Sequence, residues 1–229
     1  MKKIKFILIL LFFGVCEAQT NGCAIYDKEW INLFSDSAEG RKLKNNDPKT
    51  YQEYKEIEQE QRELTKELKY ILEFNRKESL FFLEDIMDKD NSPSLQLAAG
   101  PFQGVYYQNI ETNKNLWQLD SYDGRYLIRL DKNNWKLEKE TEVIYGYTCY
   151  KATIKNNGEV VEAWYSPEIP LNYGPMGYNG LPGMILRLTV RGEKFTIREL
   201  NFLKKTQNIK VPRQGKKITF QEFQQKFEK

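Results

Sequence analysis

A chain of 229 residues with 29% charged side chains and a net charge of +3 is long enough to bury one sizeable core and carries no basic run that would grip nucleic acid. It has no histidine, which removes Ser-His-Asp and Cys-His nucleophile pairs, the usual His-containing zinc site and the side chain readiest to move protons near pH 7. Its 14 tyrosines and 13 phenylalanines favour strands, where flat side chains pack across a pleated surface.

The first element is a leader. Lys2, Lys3 and Lys5 form a basic start, positions 6–15 are apolar except for Gly14, and Cys16-Glu17-Ala18 places small residues around a cleavage site after Ala18. Lipid attachment at Cys16 is the competing outcome, and the bulky Val15 before it argues against that. Removing residues 1–18 takes away three lysines and one glutamate, so the net charge falls from +3 to +1. No later run approaches the roughly 20 apolar residues of a spanning helix. The expectation is an exported, soluble protein without a transmembrane segment, residues 19–229 forming one domain.

The next predicted element is a long helix over about 47–68. Asp47 supplies a capping carboxylate, Pro48 fits the first helical position, and Tyr51, Tyr54, Ile57, Leu64 and Leu68 share one face. Strands follow. Tyr70, Leu72 and Phe74 alternate with polar neighbours, as do Tyr126, Ile128 and Leu130, and Leu186, Leu188 and Val190. Asn75-Arg76-Lys77-Glu78, Asp123-Gly124 and Asn157-Gly158 mark tight connections. With segments 79–85, 104–109, 115–119, 147–154, 160–165 and 195–202, the pattern predicts about ten antiparallel strands. Open sheets of that size curl. The last element is a helix over about 219–228, opened by the capping box Thr219-Phe220-Gln221-Glu222. It continues to the end with no separate sorting domain, which favours the periplasm.

Cys23 and Cys149 are left once the leader is removed. An even pair in an oxidising compartment predicts a disulfide, with two free thiols as the alternative. Tyr150, Ala152 and Ile154 read as the inward set of their strand, with Cys149 on the other face. Glu162 with Glu168, or Glu138 with Glu140, are candidate acid/base pairs, and nothing in their spacing places either in one cleft. The glycines at 174, 177, 180 and 183 lead into a strand, whereas a phosphate loop leads into a helix. No metal, cofactor or catalytic residue is predicted.

The densest signal lies at Asn179-Gly180-Leu181-Pro182-Gly183-Met184-Ile185-Leu186. Ser166 and Ile169 each precede a proline and are pushed toward extended geometry. Pro182-Gly183 suits the central positions of a type II turn, so Gly180, Pro182 and Gly183 are assigned to a structural reversal. Trp164, Tyr165, Tyr173, Met176, Tyr178 and Leu181 around it are assigned to an aromatic rim that receives a ligand.

With Ala163-Trp164-Tyr165-Ser166-Pro167-Glu168-Ile169-Pro170 before it and Ile144-Tyr145-Gly146-Tyr147-Thr148-Cys149-Tyr150-Lys151-Ala152 earlier, this segment resembles the GLPGLI family of exported bacterial envelope proteins. Met184 stands where the family motif has leucine. The resemblance covers about 69–203 and implies an envelope location without implying an activity. The elements together resemble the open barrel of periplasmic lipoprotein carriers: a mainly β (α+β) fold with a curved sheet, one long inserted helix and a C-terminal helix. The function expected is non-catalytic binding or carriage of an apolar ligand or chain segment. The alternative is an accessory protein docking on an outer-membrane transport or secretion complex, and an enzyme survives only as a carboxylate-based hydrolase.

Overall fold

The computed structural model describes residues 20–85, 93–100, 103–156, 159–205 and 208–227. The expected leader with its expected Ala18 cleavage site, the Asn157-Gly158 dipeptide and position 228 lie outside these residues. Twelve strands are present among them: β1 Gly22–Trp30, β2 Tyr70–Phe74, β3 Glu78–Leu83, β4 Val105–Asn109, β5 Lys114–Ser121, β6 Gly124–Arg129, β7 Lys136–Ile144, β8 Tyr147–Asn156, β9 Glu159–Ser166, β10 Met184–Val190, β11 Glu193–Phe202 and β12 Lys216–Thr219. They form one open sheet in the order β12-β6-β5-β4-β3-β2-β1-β11-β10-β9-β8-β7. Every pairing is antiparallel except that of β12 with β6. Four helices accompany it: α1 Ala38–Asn46, α2 Pro48–Thr65, α3 Pro93–Ala99 and α4 Phe220–Phe227. The expected mainly β class with a curved open sheet is the one found. None of the helices is long and apolar enough to cross a membrane.

Three strands escaped the sequence pattern. β1 points Ala24, Tyr26 and Lys28 to the core, and the inward lysine breaks the apolar alternation. Its ammonium meets Glu193 Oε1 at 2.7 Å and donates to the carbonyls of Ala98 and Ala99, 3.1 and 2.9 Å away, at the end of α3. Burial pushes the Lys28 pKa down, opposed by its partner Glu193. A buried ammonium is tolerated where a carboxylate and backbone carbonyls surround it in this way. β7 is an edge strand with mostly exposed side chains, as befits an edge guarded by charge. β12 is four residues long.

The predicted long helix is α2, Pro48–Thr65, and a further helix precedes it. Asp47 does cap α2, its carboxylate accepting from Thr50 N at 3.1 Å, with Pro48 at the first position. Before it, Ser37 caps α1, which lies outside the predicted span and contains the buried Gly40. That glycine lies where a Cβ would come within 2.1 Å of the Phe34 carbonyl oxygen. α2 stops at Thr65, and Leu68 enters the core fully buried. The C-terminal capping box forms as expected: Glu222 N donates to Thr219 Oγ1 at 3.2 Å, and Thr219 N to Glu222 Oε2 at 2.7 Å.

Two rows of side chains give the concave face its character. Phe81, Tyr106, Trp117 and Ile128 are direct partners across β3, β4, β5 and β6, with the Tyr106 and Trp117 rings stacked at 5.4 Å. One step further along the same strands, Ser79, Gln108 and Asn115 are partners across β3, β4 and β5. A dry row therefore adjoins a polar one. On the convex face Tyr107, Leu116 and Leu127 form a second small cluster beneath Ile209 and Val211, while Lys151 bridges Glu140 and Glu162 and Arg187 pairs with Glu142.

Candidate functional site

The loop between β9 and β10 leaves the sheet at Ser166, whose hydroxyl donates to the Thr148 carbonyl at 2.9 Å. Leu171 N reaches Ile169 O at 2.7 Å around Pro170, and Gly183 N reaches Leu181 O at 2.8 Å around Pro182. Both are three-residue γ-type turns. The expected type II turn is not formed, because Met184 N donates to Ile169 O at 3.0 Å rather than closing back on Leu181. The reversal itself is there, and Gly183 is required for it: φ is +156° and a Cβ would stand 2.1 Å from the Ser166 oxygen. Gly180, at φ +87°, has open space around it. Ile185 is held on both sides, its N–H donating to Tyr173 O at 2.9 Å and its carbonyl accepting from the buried Tyr26 hydroxyl at 2.7 Å.

From this base the loop crosses the concave face to a single 3-10 turn, Pro175–Gly177, which packs on β3, β4 and β5. Met176 at φ 52° and Gly177 at φ 76° are consecutive left-handed residues, an uncommon arrangement for methionine. Asn115 and Asn179 both donate to the Gly177 carbonyl, each at 3.1 Å. Trp135 Nε1 donates to Asn179 O at 2.7 Å, and its ring lies 6.0 Å from that of Tyr178.

Beside the turn opens a cleft of about 410 Å³. Tyr106 and Trp117 line one wall, Ile154, Val161 and Val190 another, and Met176, Tyr178 and Phe220 complete it. Trp117 and Val161 sit on strands seven steps apart in the sheet order, roughly 34 Å if the sheet were flat. Their meeting in one cleft measures how far it curls. Trp117 is fixed by its Nε1 donating to Gln103 O at 2.9 Å and by the edge of Phe223, 5.1 Å away. Polar groups ring the mouth: Asp131 to Asn134 after β6, Lys155, and Arg191, whose guanidinium lies 6.0 Å from the Phe220 ring. Burial raises the Tyr106 and Tyr178 hydroxyl pKa values, so both are neutral donors in the cleft wall.

Of the six predicted rim residues, Met176 and Tyr178 reach this cleft. Tyr165, Tyr173 and Leu181 are core residues, 5%, 0% and 2% exposed, because the loop folds down into the concavity instead of standing at its edge. Trp164 is also buried, under Lys151, whose ammonium lies 5.8 Å from its ring, and it donates to Glu162 Oε1 at 2.9 Å. The aromatic platform of Tyr106 and Trp117 was missed. Its signal was the pairing of two aromatic strands, visible only once their register is known.

Cys23 and Cys149 are free thiols, which corrects the expected bridge. They lie on strands four steps apart, about 19 Å at the usual spacing, where a disulfide needs Cα atoms within about 7 Å. Cys149 is fully buried and Tyr150 38% exposed, although the regular register with β9 keeps Tyr150 on the face of Ala152 and Cys149 on the other. Burial pushes the Cys149 thiol up to about 11. The carboxylates are engaged elsewhere: Glu138 with Lys136 and Thr153, Glu140 and Glu162 with Lys151, Glu168 with Thr148 N. None lines the cleft. Among the described residues no group of three or more Cys, Asp or Glu is placed to hold a metal ion.

A family model described as Protein of unknown function (Porph_ging) matches residues 153–187, the stretch from β8 through β9 and the loop into β10. No curated protein matches the chain. Among solved structures it is similar to PNGF-II in two crystal forms. In the P21 form the TM-score is 0.53 with 16% identity over 92% of this chain and 34% of that one. The values in the C2 form are 0.52, 15%, 90% and 32%. The chain thus spans about a third of the length of PNGF-II, and at this identity the two share a fold.

Proposed function

We propose that this protein is an exported, non-catalytic binding module of the bacterial envelope, of the GLPGLI type, whose cleft receives the apolar part of an amphipathic ligand. The observation that carries the reading is the aromatic-walled cleft of about 410 Å³ held open between the two halves of the curled sheet. That volume lies in the range of ordinary small-molecule sites, which are mostly apolar with a few placed polar groups. The motif loop contributes Met176 and Tyr178 to its wall and closes the rest of the concavity. A ligand is therefore gripped at one end of the sheet and not along its whole length.

Native mass spectrometry of protein released from its envelope without detergent tests this, together with displacement of a fluorescent alkyl probe. Co-release of a small amphipathic molecule, and probe binding weakened by Tyr178→Ala, are the expected results. A bare protein that also ignores the alkyl probe overturns the reading. A second reading, docking on an envelope transport or secretion complex, draws on the exposed apolar side chains of the unpaired β7 edge and its turn: Leu137, Val143 and Tyr145 are 55%, 68% and 50% exposed.

A further inference from the structure

A second chamber of about 290 Å³ adjoins the cleft, sharing Asn115, Leu130 and the loop at 131–133 with it. Its chemistry is different. Seven of its thirteen lining residues are amides, counted among the described residues, where a solvated surface would mix charges and hydroxyls. Three amide atoms there, Gln108 Nε2, Asn115 Oδ1 and Asn172 Oδ1, are buried and find no partner within the protein. Gln108 is only 3% exposed. Its Oε1 accepts from the Ser79 hydroxyl at 3.2 Å. Turning that amide over merely exchanges which atom meets Ser79, so one atom still lacks a partner.

Buried amides without partners are costly and uncommon in native proteins, and their arrangement here follows from the sheet. Gln108 and Asn115 belong to the polar row beside the dry row of Tyr106 and Trp117. Asn172 comes from the motif loop facing them. Asn115 and Asn179 each direct one amide N–H to the Gly177 carbonyl, which leaves acceptor oxygens, the remaining amide N–H groups and the Gln108 donor for the chamber. A group of mixed donors and acceptors, neutral in itself, is matched by hydroxyls, each of which both donates and accepts. Lys114, Lys132 and Asp131 at the chamber wall carry opposite signs and select no strong charge.

We propose that the chamber binds a neutral sugar, its hydroxyls paired with Gln108, Asn115 and Asn172, while an apolar substituent on that sugar lies in the adjoining cleft against Tyr106 and Trp117. This rests on the cleft's being a binding site and adds the class of head group.

Calorimetric titration of the full chain with three probes below their micellar concentrations separates the two claims. The probes are alkyl hexosides (glucoside, galactoside and mannoside), the same alkyl chain with a zwitterionic head, and the free hexoses. The expected result is at least ten-fold tighter binding of one alkyl hexoside than of the zwitterionic analogue. Gln108→Leu and Asn172→Ala should each reduce that preference to within two-fold while leaving the zwitterionic probe unaffected. Asn172 lies in a partly exposed loop, so its variant carries the test if Gln108→Leu does not fold. Equal binding of all alkyl probes by the native protein, or a preference that both variants retain, overturns the sugar site and leaves the cleft reading standing. Absence of binding by any alkyl probe overturns both. A free hexose that binds as tightly as its alkyl glycoside identifies a soluble saccharide as the natural source, and a chain-dependent gain identifies a glycolipid.

Discussion

At the base of the loop between β9 and β10, Gly183 lies against Ser166, Ile169 O gathers two backbone N–H groups, and Tyr26 reaches across from β1 to Ile185. Seven residues before Gly183, at the tip, Met176 holds a left-handed backbone and Tyr178 faces an open cleft. The base contains the glycine and proline residues that make the segment recognisable, and all of its polar backbone work is internal. The tip is where the loop borders the cleft. Sequence distinctiveness and cleft wall are thus separated within one loop.

The largest test of this division is Gly183→Ala. A Cβ there collides with backbone atoms that have no room to move, so stability should fall by at least about 3 kcal/mol, read by urea unfolding, and a loss under 1 kcal/mol would remove the base from its structural role. Tyr26→Phe comes next. It leaves the Ile185 carbonyl buried without its donor and should cost about 2 kcal/mol. At the tip, Tyr178→Ala should weaken the alkyl probe about ten-fold, equivalent to about 1.4 kcal/mol, with a smaller effect on unfolding than either change at the base. The reverse order of sensitivity would refute the comparison.

Alkaline pH sharpens it further. Burial raises the Tyr26 pKa far above the ordinary value, so the folded chain keeps this proton while the unfolded chain begins to lose it near pH 10. The wild type therefore loses stability above that pH and the Tyr26→Phe variant is spared this loss. The gap between them should narrow by about 0.8 kcal/mol at pH 10.5, measured by paired unfolding curves; a constant gap would mean that the hydroxyl is not buried. The smallest effect is chemical. Cys149, beside the Thr148 that anchors Ser166, is buried with its thiol pushed up to about 11, so a maleimide should label the half-buried Cys23 first. Both sites should label on unfolding without any reductant, and failure of both to label would restore the disulfide.

Much of the sheet was readable in the chain because β2, β6 and β10 each have one dry face, and alternation reports that directly. β1 was hidden for the opposite reason. Its inward Lys28 reads as solvent-facing until Glu193, far along the chain, and the carbonyls of Ala98 and Ala99 are known to surround it. β7 has few dry positions to report. In the cleft, Met176 and Tyr178 were found because they stand near a distinctive motif, whereas Tyr106 and Trp117 look like any other strand aromatics. Gln108 shows the limit most clearly. A glutamine between tyrosine and asparagine carries no apolar signal, yet Gln108 is 3% exposed, between Ser79 and Asn115 of the sheet and beside Asn172 of the loop.

β1 lies between β2 and β11, with Gly22 opposite both Phe74 and Phe202. This strand therefore finds one of its neighbours some fifty residues later and the other only near the end of the chain. A chain folding from its amino end would leave the β11 side of this strand exposed until β11 forms, and only then do the two halves of the sheet join. Pairings this distant are slow to form, and an unsatisfied strand edge invites aggregation meanwhile. The order of the sheet thus makes the earliest of these strands in the chain among the last to be completed.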